Sequence, residues 1–433
     1  MSTVMTDGLT RIVVEVELVG NTNVRKEPSR TSAILRVLRA NEAVTMAGYT
    51  IFGEKIQGNS AWYLTQDGCF VWAGATTRPN PEIAEPALRL DEAAGSPALA
   101  GPVPSGITRI DGLLSGGSPP LTTTDQDVQG VGAVQDLLSG QGFRGLPGLL
   151  SPVYGKFGPK TLECVRQFQR NRTIQETGSV DKTTLEQLVG TPATDPRLSQ
   201  VYTTLVLGVP YKGMQRVLGL TAIMEGLGKF GSLNLNTDKA GLSFGIIQWA
   251  QRPKRLIDIL EAFSKADASK YVSIFGSGSE ATAAALLTHV RKLNGGVDPK
   301  TGLTTDMAFD LTSPQWVARF QAAAIDRQYQ QIQIKVALAA FQRSLDEMRK
   351  YASDLKTERT VAFLLDVANQ CGDGGLRQMY QSAANTGATG MDLLEMIADE
   401  TIERVAPNLQ AGVRMRRDNF LTTPFLADEP FIV

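Results

Sequence analysis

Short β-prone runs alternate with turn residues along residues 9–75. Ile12–Leu18, Ala43–Ala47 and Cys69–Trp72 are the clearest of these runs, and Gly, Asn and Ser separate them. Several short strands with turn residues between them are typical of small barrels. This block therefore predicts a small all-β barrel.

Apolar residues recur at helical spacing through most of the remaining chain. Residues 126–190 are long enough for a small helical bundle. Residues 197–433 contain longer periodic segments, such as 317–351 and 358–368, which predict a mostly α domain. A polar, turn-rich stretch at 231–241 interrupts that pattern and favours a short hairpin, so the class of this block is α+β.

Two stretches separate these blocks. Residues 76–125 hold 8 of the 21 prolines and no aromatic residue, which predicts a linker because such a segment buries too little side chain to offset its ordering entropy. Ile110, Leu113 and Leu114 are its candidates for weak docking onto a neighbour. A shorter break follows at 191–196. The sequence thus predicts a multidomain protein with folded blocks at 9–75, 126–190 and 197–433.

Composition narrows the class of protein. The 433 residues are 42% apolar and 20% charged, and 43 Lys and Arg nearly balance 44 Asp and Glu. These values exclude wholesale disorder, and they exclude a chain-wide polycation for nucleic acid. No apolar run approaches the roughly 18–20 residues that a membrane span needs. Residues 1–10 lack the pattern of a secretory signal, so we expect synthesis in the cytoplasm.

Histidine and cysteine are scarce. The single histidine, His289, cannot build a zinc site of two histidines and a carboxylate, and it would have to serve any Ser–His or Cys–His pair. Its neighbours, residues 283–291, form an ordinary helical pattern, so we expect a structural role. Cys69, Cys164 and Cys371 are too far apart in sequence for a disulfide framework. We expect no metal and no cofactor, and chemistry that rests on carboxylates.

The first block resembles bacterial SH3 domains. The resemblance lies in Asn23–Ser29, with its Asn-Val-Arg and Pro-Ser, in Trp62-Tyr63, and in the closing stretch Gly68–Trp72. It covers nearly the whole block and implies a module that binds cell-wall peptide or a partner protein. Trp62 and Trp72 have a plainer interpretation as barrel core, which we expect to hold for at least one of them.

The second block resembles the peptidoglycan-binding module of three helices. Four motifs of that family occur in order: Val134-Gln135-x-Leu137-Leu138, Gly155-x-Phe157-Gly158-x-x-Thr161, Val165-x-x-Phe168-Gln169 and Gly178-x-Val180-Asp181-x-x-Thr184. The resemblance implies a three-helix bundle with peptidoglycan as its partner. The expected core residues are Val134, Leu138, Val165, Phe168 and Leu185.

Glu225 is the main catalytic candidate of the third block. It lies near the end of a predicted helix, 212–227, whose other residues are largely apolar, and Gly226 follows it. Desolvation in such a place would raise the pKa of the carboxyl, as a general acid near neutral pH requires. The alternative is an exposed glutamate at a helix C-terminus, where the helix dipole disfavours its charge.

The order of elements after Glu225 resembles the lysozyme-like superfamily. A polar β-region at 231–241 is followed by Gly241-Leu242-Ser243-Phe244-Gly245-x-x-Gln248-Trp249, which we expect to enter a helix. The pattern is similar to goose-type lysozymes and lytic transglycosylases, more distantly to chitosanases, and to the catalytic domains of phage endolysins. Gly226 departs from it, since serine follows the glutamate in the first two groups. Residues 362–372 and 413–417 look like later elements of phage lysins.

The resemblance implies roles for several residues. Glu225 would protonate the leaving oxygen of a glycosidic bond, and Asp238 in the β-region is the candidate base. Thr237 and Ser243 are candidates for holding water. Gln248 and Trp249 are candidates for lining sugar subsites, with a core position as the alternative for Trp249. If Asp238 points away from Glu225, the glutamate would act alone, as the corresponding glutamate does in transglycosylases.

Polar residues near the C-terminus leave two alternatives open. Asn369 and Gln370, on one helical face with Asp366, would hydrogen-bond acetamido groups of a glycan or anchor a buried loop. The arginines of 413–417 would form a solvated cationic face, contact an anionic glycan or pair with acidic residues. They are Arg414, Arg416 and Arg417.

Together these patterns predict an enzyme that cleaves the glycan strands of bacterial peptidoglycan. It would be a muramidase-like glycosidase, either a hydrolase or a lytic transglycosylase, carried to the cell wall by two binding modules. The alternative is a non-catalytic wall-binding protein, or a structural protein of a phage or contractile-injection particle, with a degenerate lysozyme-like domain. Cell lysis and delivery by such a particle are both open as routes to the wall.

Overall fold

The structure is a computed structural model that describes residues 9–10, 14–50, 54–57, 59–65, 67–77, 79, 104–252, 254–304, 306–352, 355–426, 428 and 431. The chain divides into two compact units. Residues 1–99 with 313–319 form the first unit, and residues 100–312 with 320–433 form the second. The second and third predicted blocks therefore belong to one unit.

Seven short strands of the first unit form an antiparallel sheet. They are β1 Leu9–Thr10, β2 Val14–Glu17, β3 Thr22–Arg25, β4 Ile34–Leu38, β5 Ala43–Thr50, β6 Trp62–Thr65 and β7 Phe70–Trp72. The order is β1-β5-β6-β7-β3-β4, with β2 paired to β5, and a 3-10 turn, Ala73–Ala75, follows β7. Val16, Val24, Met46 and Val71 lie in its core. Trp62 is also buried. The predicted small all-β block thus contains an antiparallel sheet, although Ile12 and Val13 lie outside the described residues.

The second half of the predicted linker is folded. Helix α1, Thr108–Ser115, buries Ile110 and Leu113, and it contacts the helical block that follows. Leu121 is buried as well, in a bridge to Val180. The linker prediction is wrong for residues 104–125. A few apolar side chains are enough to fold this segment, because the neighbouring helical block supplies the rest of the core against which they pack.

Three helices form the core of the second block: α2 Val128–Gly140, α3 Pro159–Asn171 and α4 Lys182–Gly190. Asp127 and Asp181 cap α2 and α4 by accepting hydrogen bonds from backbone N–H groups, and Pro159 occupies the first turn of α3. The five residues predicted as core are all buried to 1% exposure or less. The predicted three-helix bundle is confirmed.

The third block is mostly helical. Its helices are α5 Met214–Gly226, α6 Leu256–Ala266, α7 Ala268–Phe275, α8 Glu280–Arg291, α9 Pro314–Ile325, α10 Arg327–Met348, α11 Glu358–Ala384, α12 Gly390–Glu403 and α13 Pro407–Thr422. Shorter turns are a π-helix at Tyr202–Val206 and 3-10 turns at Leu293–Gly296 and Met307–Phe309. Gly372, with φ +75°, kinks α11. None of the helices within the described ranges is long and apolar enough to cross a membrane.

A small three-stranded sheet interrupts these helices, as the turn-rich stretch predicts. Strands β8 Leu233–Leu235 and β9 Leu242–Phe244 pair in antiparallel fashion, and β10 Trp249–Ala250 pairs with β9. The helix expected to begin within Leu242–Trp249 is not formed. Residues 245–248 make a turn instead, in which Gly245 and Gln248 have φ of +83° and +52°. The next helix begins at Leu256.

Two buried glutamines fix this sheet to its surroundings. Gln333 of α10 donates to the carbonyl of Phe230 at 3.1 Å and accepts from the amide of Ile246 at 3.2 Å. Gln251 accepts from the amide of Leu242 and donates to the carbonyl of Gly295, both at 3.0 Å. The irregular backbone around the sheet is thus satisfied by neutral side chains.

Candidate functional site

Glu225 lies in the last turn of α5, with its side chain 17% exposed. The helix ends at Gly226, and the next residue, Leu227, has the left-handed conformation with φ +58°. Gly226 is held against the start of the β-region, because a Cβ there would lie 2.6 Å from the Cβ of Ser232. A serine after the glutamate would not fit this backbone, which gives a physical reason for the departure noted at Gly226.

One carboxylate oxygen of Glu225 is held by two donors. Arg416 of α13 donates to Oε1 at 2.6 Å, and the amide of Asn369 on α11 donates to the same atom at 2.9 Å. Within the part of the chain that the structure describes, Oε2 accepts no hydrogen bond. The expected apolar surround is therefore wrong, because α11 and α13 bring polar groups that the local sequence of α5 does not reveal.

Arg416 connects Glu225 to a second carboxylate, that of Asp366. Arg416 donates to both oxygens of Asp366, at 2.6 and 2.8 Å, and Arg417 donates to the same carboxylate at 2.5 Å. Asp366 is fully buried within the apolar run of α11. Two guanidiniums thus neutralise two carboxylates in one network. This pairing offsets the desolvation cost of burying the four charges.

The pKa shifts of the arginines follow from this arrangement. Burial works to lower the pKa of Arg416, but the charges and hydrogen bonds of Asp366 and Glu225 outweigh it and raise the pKa. For Arg417, burial prevails and lowers the pKa although Asp366 opposes it. Arg416 is therefore the firmly charged centre of the network.

Asn369 and Gln370 both join this network. Asn369 accepts from Arg255 at 2.9 Å while it donates to Glu225. Gln370 accepts from Arg417 at 2.5 Å. Burial lowers the pKa of Arg255, while the charge of Glu225 opposes this change. The two amides bind charged side chains, and through Arg255 the side chain of Asn369 also holds the segment just before α6.

Asp238 and Thr237 lie apart from that network. Both are exposed on the loop between β8 and β9. Asp238 accepts from the amide of Ala240 at 3.1 Å, and Thr237 donates to the side chain of Asn234 at 2.8 Å. Among the described residues, no hydrogen bond or ion pair joins Asp238 to Glu225.

Ser243, Gln248 and Trp249 serve the fold of the β-region. Ser243 is 3% exposed and Trp249 only 1%. The expectation that Trp249 lines a sugar subsite is wrong, because its ring has no open face for a pyranose; its core alternative holds. Burial likewise argues against water held by Ser243 in an open cleft. Gln248 is partly buried and donates to the carbonyls of Ser232 and Gly245, at 3.1 and 3.0 Å.

The C-terminal arginines separate into two kinds. Arg414 is exposed and lies 3.7 Å from Asp399. Arg416 and Arg417 are buried and paired with acidic residues. The predicted cationic face is therefore wrong for both of them. The sequence feature that could have indicated these ion pairs is Asp366. An acidic residue inside the apolar run 361–368 needs a buried cation as its partner.

His289 is buried in α8, 2% exposed, and its ring stacks on Phe309. Neither ring nitrogen has a hydrogen-bond partner among the described residues. Burial lowers its pKa. Cys69, Cys164 and Cys371 are free thiols. No group of three or more His, Cys, Asp or Glu side chains suited to a metal occurs in the described ranges.

Comparison with known proteins identifies the helical module. The family described as putative peptidoglycan binding domain matches residues 127–188. These residues cover α2, α3 and all but the last two residues of α4, and the match confirms the resemblance noted from their four motifs. It indicates peptidoglycan as a partner and targeting to the cell wall. No curated protein matches the chain.

Proposed function

We propose that the chain is a glycosidase that cleaves the glycan strands of peptidoglycan, with Glu225 as its general acid. The observation that supports this most is the asymmetry of the Glu225 carboxylate. Oε1 is held by Arg416 and Asn369, while Oε2 is without a hydrogen-bond partner among the described residues. A catalytic carboxyl must be fixed in place and must keep one oxygen for its substrate.

The proposed chemistry uses the two oxygens differently. When Glu225 is protonated on Oε2, Oε1 is a carbonyl oxygen that still accepts from both Arg416 and Asn369. The Oε2–H group then donates its proton to the oxygen of the glycosidic bond as that bond to the anomeric carbon breaks. Glu225 becomes the carboxylate, which the guanidinium of Arg416 stabilises. A water molecule or a hydroxyl of the sugar then bonds to the anomeric carbon, and the proton that it loses restores the acid form of Glu225, directly or through solvent.

The second group of the reaction has two candidates. Asp238 is exposed and forms no ion pair in the described part of the chain, so it is free to activate a water molecule. The other candidate is a hydroxyl of the sugar itself, which would make the enzyme a lytic transglycosylase. The two reactions give different products, a reducing sugar or an anhydro-sugar.

The binding modules suit a catalyst that works on an insoluble polymer. Residues 127–188 bind to peptidoglycan, and the block 9–75 with its antiparallel sheet is the proposed second module, of the bacterial SH3 type. Two modules on one chain raise the effective concentration of the catalytic domain at the wall. The lysozyme-like character of residues 197–433 is part of the same proposal.

The decisive experiment compares wild type, Glu225→Gln and Glu395→Gln on purified murein. Glu395 is exposed on α12 and forms no ion pair in the described structure, so it is the matched control. We expect wild type and Glu395→Gln to release sugar, and Glu225→Gln to lose at least 100-fold in rate because an amide cannot act as the acid. Mass spectrometry of the products separates hydrolysis from transglycosylation, and Asp238→Asn tests the base.

A non-catalytic wall-binding protein is the second candidate, and the ion pair of Glu225 favours it. Buried ion pairs also occur where no reaction takes place, so the network of Glu225 and Arg416 is compatible with a structural role. On this alternative, wild type sediments with murein but releases neither reducing sugar nor anhydro-sugar. That result would exclude the proposed activity and leave the wall-binding function in place.

A further inference from the structure

A cavity of about 260 Å³ lies where the peptidoglycan-binding module meets the helical domain. Helix α2 forms one side and α5 the other, and residues 197–201 and 424–426 complete it. Both sides belong to the second compact unit. Arg359 fixes the C-terminal wall by donating to the carbonyls of Thr423 and Leu426, each at 3.0 Å.

Asp136 is the acidic side chain of this cavity. Its carboxylate accepts from the hydroxyl of Tyr154 at 2.8 Å. Burial raises the pKa of Asp136 to about 7, although Tyr154 and Arg197 oppose the rise. No cation forms an ion pair with Asp136 in the described part of the chain. Its negative charge is therefore poorly compensated.

The nearby cations have other partners. Arg197 is bound to Asp195 at 3.0 Å, and Arg216 lies 3.1 Å from Glu358. Tyr211 is the remaining titratable group that lines the cavity, and burial followed by the charge of Asp136 raises its pKa. Residues 424–426 bring no titratable side chain. The cavity thus offers one carboxyl that forms no ion pair among the described residues, together with two guanidiniums that are paired to other carboxylates.

Aliphatic side chains cover the walls on both sides of that group. Leu149 comes from the loop after α2, and Leu220 and Ile223 come from α5. Apolar walls around one half-buried carboxyl are complementary to a methylene chain that ends in a positive charge. An anionic head group at the same position would meet the carboxylate of Asp136, and it would have to draw Arg197 or Arg216 away from Asp195 or Glu358.

We propose that this cavity binds an aliphatic primary ammonium group, with the nitrogen at Asp136 and its methylenes against Leu149, Leu220 and Ile223. Peptidoglycan stem peptides can carry such a group on their diamino acid. Naming that source rests on the peptidoglycan function proposed above. The cavity would then bind the stem peptide of peptidoglycan while Glu225 acts on the glycan strand.

Binding is coupled to one proton. The ammonium needs the ionised carboxylate, so below pH 7 the protonated Asp136 releases its proton to solvent as the ligand enters. With a pKa of about 7, affinity should fall roughly tenfold from pH 8 to pH 6. The released proton is measurable by calorimetry in buffers of different ionisation enthalpy.

The test uses n-pentylamine as the probe, with 1-pentanol and pentanoate as neutral and anionic controls of similar shape. Calorimetry or NMR titration of the full chain should show binding of pentylamine at pH 8 that is at least tenfold tighter than that of either control. Asp136→Asn should abolish this preference. Glu163→Gln, a change at an exposed residue of α3, should retain it.

Several results would overturn the proposal. Equal binding of pentylamine and pentanol, tighter binding of pentanoate, or unchanged pentylamine binding in Asp136→Asn would each do so. If Asp136→Asn does not fold, the pH dependence of the wild type decides. Pentylamine binding and sugar release from murein are measured separately, so either proposal can fail while the other stands.

Discussion

The two folded blocks of the second unit bury polar groups in different ways. In the peptidoglycan-binding module, Gln135 accepts from the amide of Gly155 and donates to the carbonyl of Lys156 and to Thr161, at 2.9–3.0 Å. Gln169 repeats the same pattern. It accepts from Gly178 and donates to Ser179 and Thr184, also at 2.9–3.0 Å.

The helical domain also buries amides of this kind, at Gln251 and Gln333, and it adds a network of buried charges that the module lacks among its described residues. Glu225, Asp366, Arg416 and Arg417 come from three helices that are distant in sequence, whereas each glutamine of the module binds a loop and a helix N-terminus nearby. Burying a neutral amide with all its hydrogen bonds made is inexpensive, while burying ion pairs carries a large desolvation cost. Neutral networks thus suffice to shape a fold, and the charged network is the costlier of the two arrangements.

The largest effect should come from breaking the charged network. Arg416→Met removes the cation shared by Glu225 and Asp366 and leaves Asp366 with Arg417 alone. We expect a loss of about 3–5 kcal/mol in the free energy of unfolding, as for one partner removed from a buried pair. Urea denaturation measures it. Arg414→Met, at the exposed neighbour, should change stability by less than about 0.5 kcal/mol, and similar losses in both variants would refute the distinction.

An intermediate effect should come from the module's glutamines. Gln169→Leu leaves the buried amide of Gly178 and the carbonyl of Ser179 without their partner, which should cost about 1–3 kcal/mol. Gln135→Leu should cost a similar amount because its geometry is the same. Gln187→Leu, at an exposed position of α4, is the control. A much smaller loss for either buried glutamine would show that the two patterns are not equivalent.

The smallest effect should come from His289, a buried polar group without a hydrogen-bond partner among the described residues. Since burial lowers its pKa, the unfolded chain binds more protons than the folded one below the ordinary value of about 6.5. The contribution of His289 to stability is therefore constant above pH 6.5. Below that pH, the free energy of unfolding decreases as the pH falls, by at most about 1.4 kcal/mol per pH unit. Thermal unfolding of wild type and His289→Leu between pH 5 and 8 checks this. Parallel curves would contradict it.

Local patterns predicted the module well. Its helices, caps and core follow from signals that lie within a few residues of one another, such as the aspartate before α4 and the apolar spacing of α3. The hairpin at 231–241 was also accessible, because turn residues and short β-prone runs adjoin there. These features depend little on contacts between distant segments.

The candidate site was only partly accessible for the opposite reason. Glu225 could be singled out from α5, but its partners on α11 and α13 are brought in by tertiary packing alone. The helix expected within 242–249 is wrong because the apolar residues of 245–248 fit either a helix or a turn. Gln333 of α10 stabilises the turn by accepting a hydrogen bond from the amide of Ile246. The segment 104–125 was mistaken for a linker because its core is completed by another module.

Helix α5 carries two features on different sides. Ile223 faces the cavity beside the wall-binding module, and Glu225, two residues later, faces the arginines of the opposite side. Successive residues of a helix are rotated by about 100°, so two residues apart the rotation is about 200°. The side chains of Ile223 and Glu225 therefore point in nearly opposite directions from one helix. A ligand that displaces α5 at Ile223 would also displace the carboxyl of Glu225, so the proposed ligand and the proposed acid would be coupled through this one helix.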